Sequence, residues 1–408
     1  MRYITVLMMS LSLSLASCSY LLPSTTPSAF GLLADRGDTR PFEQPLPINT
    51  QPKRLALGHS FAIGVKEDGT VWSWGSGSKG ELGMGKRENR PTPQAIPNMT
   101  DFVEVAVGSE HVLALRKDGT VWSWGDNEKG ALGYKEDGVP YGPPNDIRFR
   151  PHQLTPKQIP DLKEVVSIAA GSSFSLALDK EGRVWGWGSD LEAPDNKFFF
   201  PKVIWQHIDI AKVVGNALSV SFGILTKTGN VKLWQYGKIT EQMLNRPVVD
   251  VAIGPATFNT YFLLDTGRVY AVGSNRQGAL GCCRLKSEAT EPILIPQLEH
   301  IVKISTYSAL DDKGRVWQWG REAGVTRDYV YFSSSNIYTQ FYPRVMSGSK
   351  KIVDVYCCTA AFAEDGSIWF WGDDSGGRRG DAKPTKGSYK EKTHKYWTTP
   401  VRSLWIWK

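Results

Sequence analysis

The sequence predicts an all-β fold, a closed ring of seven four-stranded blades, and three observations carry that expectation. One short pattern recurs seven times at a period of about 50 residues, the length of a four-stranded propeller blade. Tryptophan is concentrated in it, with 11 of the 15 in the chain inside the seven copies. Glycine (40) and proline (24) are frequent enough to end many short strands, and no long stretch shows the 3.6-residue apolar period of a helix.

The pattern is a polar or charged residue, Gly, any residue, Val or Ile, an aromatic, any residue, an aromatic, Gly. Its clearest copy is Asp68-Gly69-Thr70-Val71-Trp72-Ser73-Trp74-Gly75, and the others lie at 118–125, 181–188, 228–237, 266–273, 313–320 and 365–372. The polar-Gly pair predicts a hairpin turn with positive φ at the glycine. The alternation after it sends both rings to one face of a strand, where they fill the gap between neighbouring blades. The fourth copy reads as carrying two extra residues, Val231-Lys232, and the fifth is weakened to Tyr270-Ala271-Val272.

Each better copy continues alike. Gly80-Glu81-Leu82-Gly83, Gly130-Ala131-Leu132-Gly133 and Gly278-Ala279-Leu280-Gly281 form one loop. A proline follows (Pro93, Pro156, Pro201, Pro292, Pro343, Pro400), then an apolar strand such as Val103-Glu104-Val105-Ala106-Val107-Gly108, then another such as Val112-Leu113-Ala114-Leu115. In this order the residues resemble the regulator-of-chromosome-condensation repeat over essentially everything after residue 53, strongly in the first two copies and thinly in the third, fourth and sixth. The resemblance implies a seven-bladed propeller of that repeat class. Leu55-Ala56-Leu57-Gly58 begins the array in mid-repeat and Pro400 to Trp407 ends it there, so one blade is expected to be shared by the two ends, which removes two exposed sheet edges. A quinoprotein-like propeller is the alternative fold, and the motif order fits it poorly.

The first residues form a separate signal. Met1-Arg2 precedes an apolar run ending in Leu15-Ala16-Ser17-Cys18, too short to span a bilayer and of signal-peptide length. It resembles the lipobox of bacterial lipoproteins, which implies cleavage before Cys18, acylation of Cys18, and a destination in the cell envelope, with Ser19 favouring the outer membrane. The expected organisation is a signal peptide over 1–17, a Ser/Thr/Pro-rich flexible tether over 18–52, and the propeller over 53–408.

Enzyme chemistry finds no support in the motifs. The six histidines are scattered, no metal-ligand spacing or phosphate loop occurs, and no cofactor or metal is expected. His111 is expected to pack beside the Gly108 turn, as Phe61 and Phe174 do in other blades. Cys282-Cys283 and Cys357-Cys358 are two adjacent pairs for which a disulfide is possible and several pairings are open.

Candidate partner contacts are the insertions, since propellers place function in loops. The second repeat carries 134–151 with Tyr141, Arg148 and Phe149. The sixth carries Arg327, Tyr329, Tyr331, Phe332, Tyr338 and Phe341, residue types enriched in binding hot spots. A basic segment, 376–396, holds Arg378, Arg379, Lys383, Lys386 and three further lysines against two acids, much of the chain's formal +7. The expected function is an envelope-anchored, monomeric scaffold that binds a protein partner through these loops, with no nucleic acid involved. The family resemblance includes a secreted propeller that inhibits β-lactamases, so inhibition of a partner enzyme is one form of this reading. An envelope enzyme acting on polysaccharide is the alternative, and nucleotide exchange on a small GTPase, which the export signal opposes, comes third.

Overall fold

The computed structural model describes residues 44–135, 152–189, 198–235, 237–242, 244–255, 259–282, 287–321, 339–345, 351–356, 360–372 and 397–406. The chain divides into two units, 1–37 and 38–408, and the first lies outside the described residues. Within the second, the described strands form seven four-stranded antiparallel sheets, each built from four consecutive strands. They occupy 55–95, 102–158, 165–206, 210–242, 248–294, 301–345 and 352–406, numbered blades 1 to 7 in chain order. The first strand of every blade lines one central cavity, so the first strands are innermost and the fourth outermost. The seven-bladed propeller is as expected.

Local chemistry explains each blade. The seven turn glycines, from Gly69 to Gly366, have φ between +75° and +83°, a region closed to most side chains. The third strand follows, as Val71–Gly75 pairs with Phe61–Val65 in blade 1. Of the two aromatics, the second is the core residue: Trp74, Trp124, Trp187 and Trp319 are fully buried, whereas Trp72, Trp122, Trp185 and Trp317 are half-buried. A buried indole removes on the order of 200 Å² from water, about 5 kcal/mol of hydrophobic stabilisation. Prolines 93, 156, 201, 292, 343 and 400 all lie in fourth strands, where a missing ladder donor costs least.

Three expectations are corrected. The fourth copy of the motif has no inserted residues. Val231 pairs with Leu225 and Trp234 with Phe222, so Lys232 takes the place of the first indole and Trp234 that of the second. The two chain ends do not share a blade. Leu55–Leu57 is the first strand of blade 1 and Trp397–Ile406 the fourth of blade 7. Because four consecutive strands already complete each sheet, the ring closes by packing: Leu55, Leu57, Ala62 and Trp74 of blade 1 form one buried cluster with Ala360, Phe362, Ile368 and Phe370 of blade 7. Finally, the segment just before blade 1, expected as the end of a tether, lies on the propeller. Leu46 N–H donates to Asp265 O (2.9 Å), Asn49 N–H to Val249 O (2.7 Å), and Lys53 O accepts from Val105 N–H (2.8 Å).

Candidate functional site

Antiparallel connectivity decides what each end of the ring carries. In every blade the first-to-second turn and the third-to-fourth connection emerge at one end, and the polar-Gly turns emerge at the other. The long insertions, 136–151 in blade 2, 322–338 in blade 6 and 373–396 in blade 7, all join a third strand to a fourth. All three therefore leave the same end. Blades 6, 7, 1 and 2 are consecutive around the ring, so the insertions spring from one arc.

Residues 46–53 lie against the opposite end. Leu46 and Ile48 pack against the cluster between blades 5 and 6, and the segment then crosses the channel mouth. There Asn49 Nδ2 donates to Asp250 Oδ2 (2.8 Å), and Lys212 Nζ donates to both Asn49 O and Asp250 Oδ1 (3.2 Å each). The Lys212–Asp250 pair is buried, with both side chains at or below 6% exposure. Further round, Lys303 Nζ pairs with Asp354 Oδ2 at 2.6 Å, and Tyr356 Oη donates to the same oxygen. Burial pushes the Glu104 carboxyl up to about 7, although Lys212 and Lys53 lie near and backbone N–H groups of Lys53 and Ile168 donate to it. The channel encloses about 110 Å³, below the 300 Å³ or so that a drug-sized ligand needs.

At the insertion end the blades are joined by polar contacts. Lys79, in the loop of blade 1, reaches Glu110 (2.9 Å) and Asp126 (3.3 Å) of blade 2. His111 is buried over Gly108, where a Cβ would fall 2.0 Å from its ring. It shares a hydrogen bond with Ser175 Oγ at 3.0 Å, and burial lowers its pKa to about 4, so it is a neutral packing residue as expected. Beside it, Asp126, Glu128 and His152 bring one ligand atom each within 4.8 Å of one another. Burial works against ionisation of Asp126, but the His152 imidazole, the Glu128 N–H and the Lys79 ammonium hold its carboxyl below the usual range. Sequence reading missed this group. Its members are 26 residues apart and meet only because Asp126 pairs with His152 across the sheet.

Most of the sequence-predicted site residues lie outside the described residues: Cys18, Tyr141, Arg148, Phe149, Arg327, Tyr329, Tyr331, Phe332, Tyr338, Arg378, Arg379, Lys383, Lys386, Cys283, Cys357 and Cys358. Phe341, expected in a loop, belongs to Thr339–Val345, the fourth strand of blade 6, because the ladder of Gln318 with Arg344 claims that segment. Cys282 is half-buried and packs against the cluster between blades 5 and 6.

Fold and repeat together define a class, a seven-bladed propeller with a buried indole in the third strand of every blade but the fifth. The family model of the regulator of chromosome condensation (RCC1) repeat matches residues 68–115 and 118–178, and a second model of the same repeat matches 53–81, 102–131 and 165–192. Residues 53–192 thus carry repeats of the RCC1 type. It is similar to E3 ubiquitin-protein ligase HERC2 of Homo sapiens, 28% identical over 256 residues, 53% of this chain and 5% of that protein. It is also similar to Protein pim1 of Schizosaccharomyces pombe, 25% identical over 309 residues, 63% of this chain and 56% of that one. The match thus spans less than two thirds of either relative. In fold it resembles yeast RCC1 (Prp20) in its crystal structure with Kap60, with a TM-score of 0.65 at 20% identity, covering 88% of this chain and 85% of that one.

Proposed function

We propose that this chain is an envelope-anchored lipoprotein that serves as a rigid protein-binding scaffold, engaging its partner through the insertion end of the ring. One observation carries the reading: the 136–151, 322–338 and 373–396 insertions all leave third strands and so converge on one end. A rigid ring bearing several loops of mixed aromatic and basic character suits a protein surface, because loops on a fixed scaffold supply contact area without reordering the core. The chain enters the propeller at the opposite end, through residues 46–53. Yeast Prp20, which this chain resembles in fold, is bound by Kap60 in its crystal structure; an export signal would direct this chain to an envelope protein instead.

The polysaccharide-enzyme reading needs facing carboxylates in a roomy pocket. In the channel Asp250 and Asp354 are paired with lysines, and the space is too small for a sugar chain. Nucleotide exchange requires a cytosolic GTPase, which the leader opposes.

The test is photo-crosslinking in living cells with probes at 327, 331 and 338, with probes at the polar-Gly turns 118 and 313 as controls. Discrete adducts from the insertion end, lost when 322–338 is replaced by a short glycine linker, are expected. Equal adducts from both ends, or retention after the replacement, would overturn the reading. Cys18→Ala is expected to release the chain from the membrane fraction.

A further inference from the structure

We propose that Asp126, Glu128 and His152 form a binding site for a divalent transition metal, zinc(II) in chemical class, at the base of the 136–151 insertion. The argument begins with His152. Its side chain is 2% exposed, and its Nδ1 makes no hydrogen bond among the described residues, a costly state for a buried polar atom. Nδ1 lies 3.3 Å from Asp126 Oδ1. Two ligand atoms bound to one tetrahedral zinc at 2.0–2.1 Å are about 3.4 Å apart, so this spacing suits a shared ion.

The remaining groups are arranged consistently. Glu128 N–H donates to Asp126 Oδ1 (2.9 Å), fixing the carboxylate and bringing the Glu128 side chain to the same corner. Lys79 takes the other oxygen, Oδ2, and leaves the Oδ1 side to the cluster. One imidazole nitrogen with two carboxylates selects zinc-like ions over magnesium or calcium, which take oxygen alone.

The position gives the site a consequence. Asp126 ends the third strand of blade 2 and His152 begins the fourth, paired across the sheet, so an ion there ties together the two feet of the insertion. Metal loading would restrict the segment that carries Tyr141, Arg148 and Phe149.

The experiment is a zinc(II) titration of the full chain by calorimetry, repeated on His152→Gln, Asp126→Asn and Glu128→Gln. The expected result is one equivalent of zinc at the wild-type site, a melting temperature raised by zinc and restored by chelator, and at least about tenfold weaker binding in each variant. Zinc should also slow proteolysis within 136–151 in the wild type and leave His152→Gln unprotected. The cobalt(II)-loaded chain should lack a thiolate charge-transfer band, which separates this site from the cysteines. Absence of uptake, uptake unchanged in all three variants, or a thiolate band would overturn the assignment. Should His152→Gln fail to fold, Glu128→Gln carries the same comparison.

Discussion

The seams that follow blades 1, 2 and 5 differ in kind from those that follow blades 3 and 6. Blades 1, 2 and 5 carry the Gly-x-Leu-Gly loop, and in each case the indole of the next blade donates to the carbonyl of the residue at x. Trp124 Nε1 reaches Glu81 O (2.7 Å), Trp187 Nε1 reaches Ala131 O (2.8 Å), and Trp319 Nε1 reaches Ala279 O (3.1 Å). Blades 3 and 6 lack the loop. The indole of blade 4, Trp234, stacks on Phe222 with ring centroids 5.2 Å apart. The indole of blade 7, Trp371, is 2% exposed and its Nε1 has no hydrogen-bond partner among the described residues. The loop is therefore a fastener between blades as well as a turn: it supplies an acceptor for the next blade's buried indole. After blades 3 and 6, which lack it, the ring stacks on Phe222 in one case and its N–H is unmet among the described residues in the other.

The largest effect that would break this comparison is removal of a fastened indole. Trp187→Ala empties the seam between blades 2 and 3, where the ring packs with Leu132, Ile159 and Ile168. Loss of about 3–5 kcal/mol is expected, measured as a fall in the denaturant midpoint. A loss below about 1 kcal/mol would mean that the seams do not hold the ring together.

The same seam has a polar element at its inner end, Glu104, whose pKa is raised by burial to about 7. Between pH 4.5 and 7 the folded chain retains a proton that the unfolded chain has lost, so stability declines as pH rises through that window. The stabilising contribution is fully present below 4.5 and gone above about 7, a span on the order of 3 kcal/mol. Glu104→Gln should flatten this part of the stability–pH curve and stabilise the chain at pH 8. A wild-type curve already flat from 4.5 to 7 would contradict the burial argument.

The fold was legible because its signals are local and repeated. The polar-Gly turns, the Trp-x-Trp alternation and the proline-bearing outer strands each specify geometry within a few residues, and seven copies reinforce one another. What escaped reading is set by pairing between distant segments. Two apparently extra residues at Val231-Lys232 vanish once Val231 is seen opposite Leu225. The strap over 46–53 has the proline and polar composition of a linker, and only its bonds to Asp265, Val249 and Asp250 fix it across the channel. Closure by packing, not by a shared sheet, also depends on which strands pair, which the repeat frame leaves open. At the candidate site the insertions were recognisable by length and composition, whereas their shared exit from one end follows from strand order. The Asp126–His152 meeting depends on register.

A smaller effect sharpens the role of the loop itself. The second glycine of each fastener, such as Gly83 (φ +69°), faces the next indole: a Cβ there would lie 3.1 Å from Trp124 Nε1. Gly83→Ala combines left-handed backbone strain of about 1–2 kcal/mol with displacement of the donor, and should lower the melting temperature by several degrees. Gly85 is the control, with φ +75° but only Thr155 Cγ2 at 3.7 Å near the added atom. Gly85→Ala should cost the backbone strain alone, and equal losses at the two positions would deny Gly83 a role in seating the indole.

The finest test sets a fastened indole against an unfastened one by the same conservative change. Trp124→Phe keeps most of the apolar volume but removes the donor to Glu81 O, leaving that carbonyl without its indole partner and costing about 1 kcal/mol beyond the lost packing. Trp371→Phe loses similar packing but no hydrogen bond among the described residues, and it relieves a buried N–H. The two variants should therefore differ in denaturant midpoint, Trp124→Phe being the more destabilised. Adding Leu82→Ala, which loosens the loop of blade 1, should shrink the penalty of Trp124→Phe and leave that of Trp371→Phe unchanged, because only the former is coupled to the loop. Equal penalties at the two sites, or no coupling to Leu82, would reduce the Gly-x-Leu-Gly loop to an ordinary turn and the seams to a single kind.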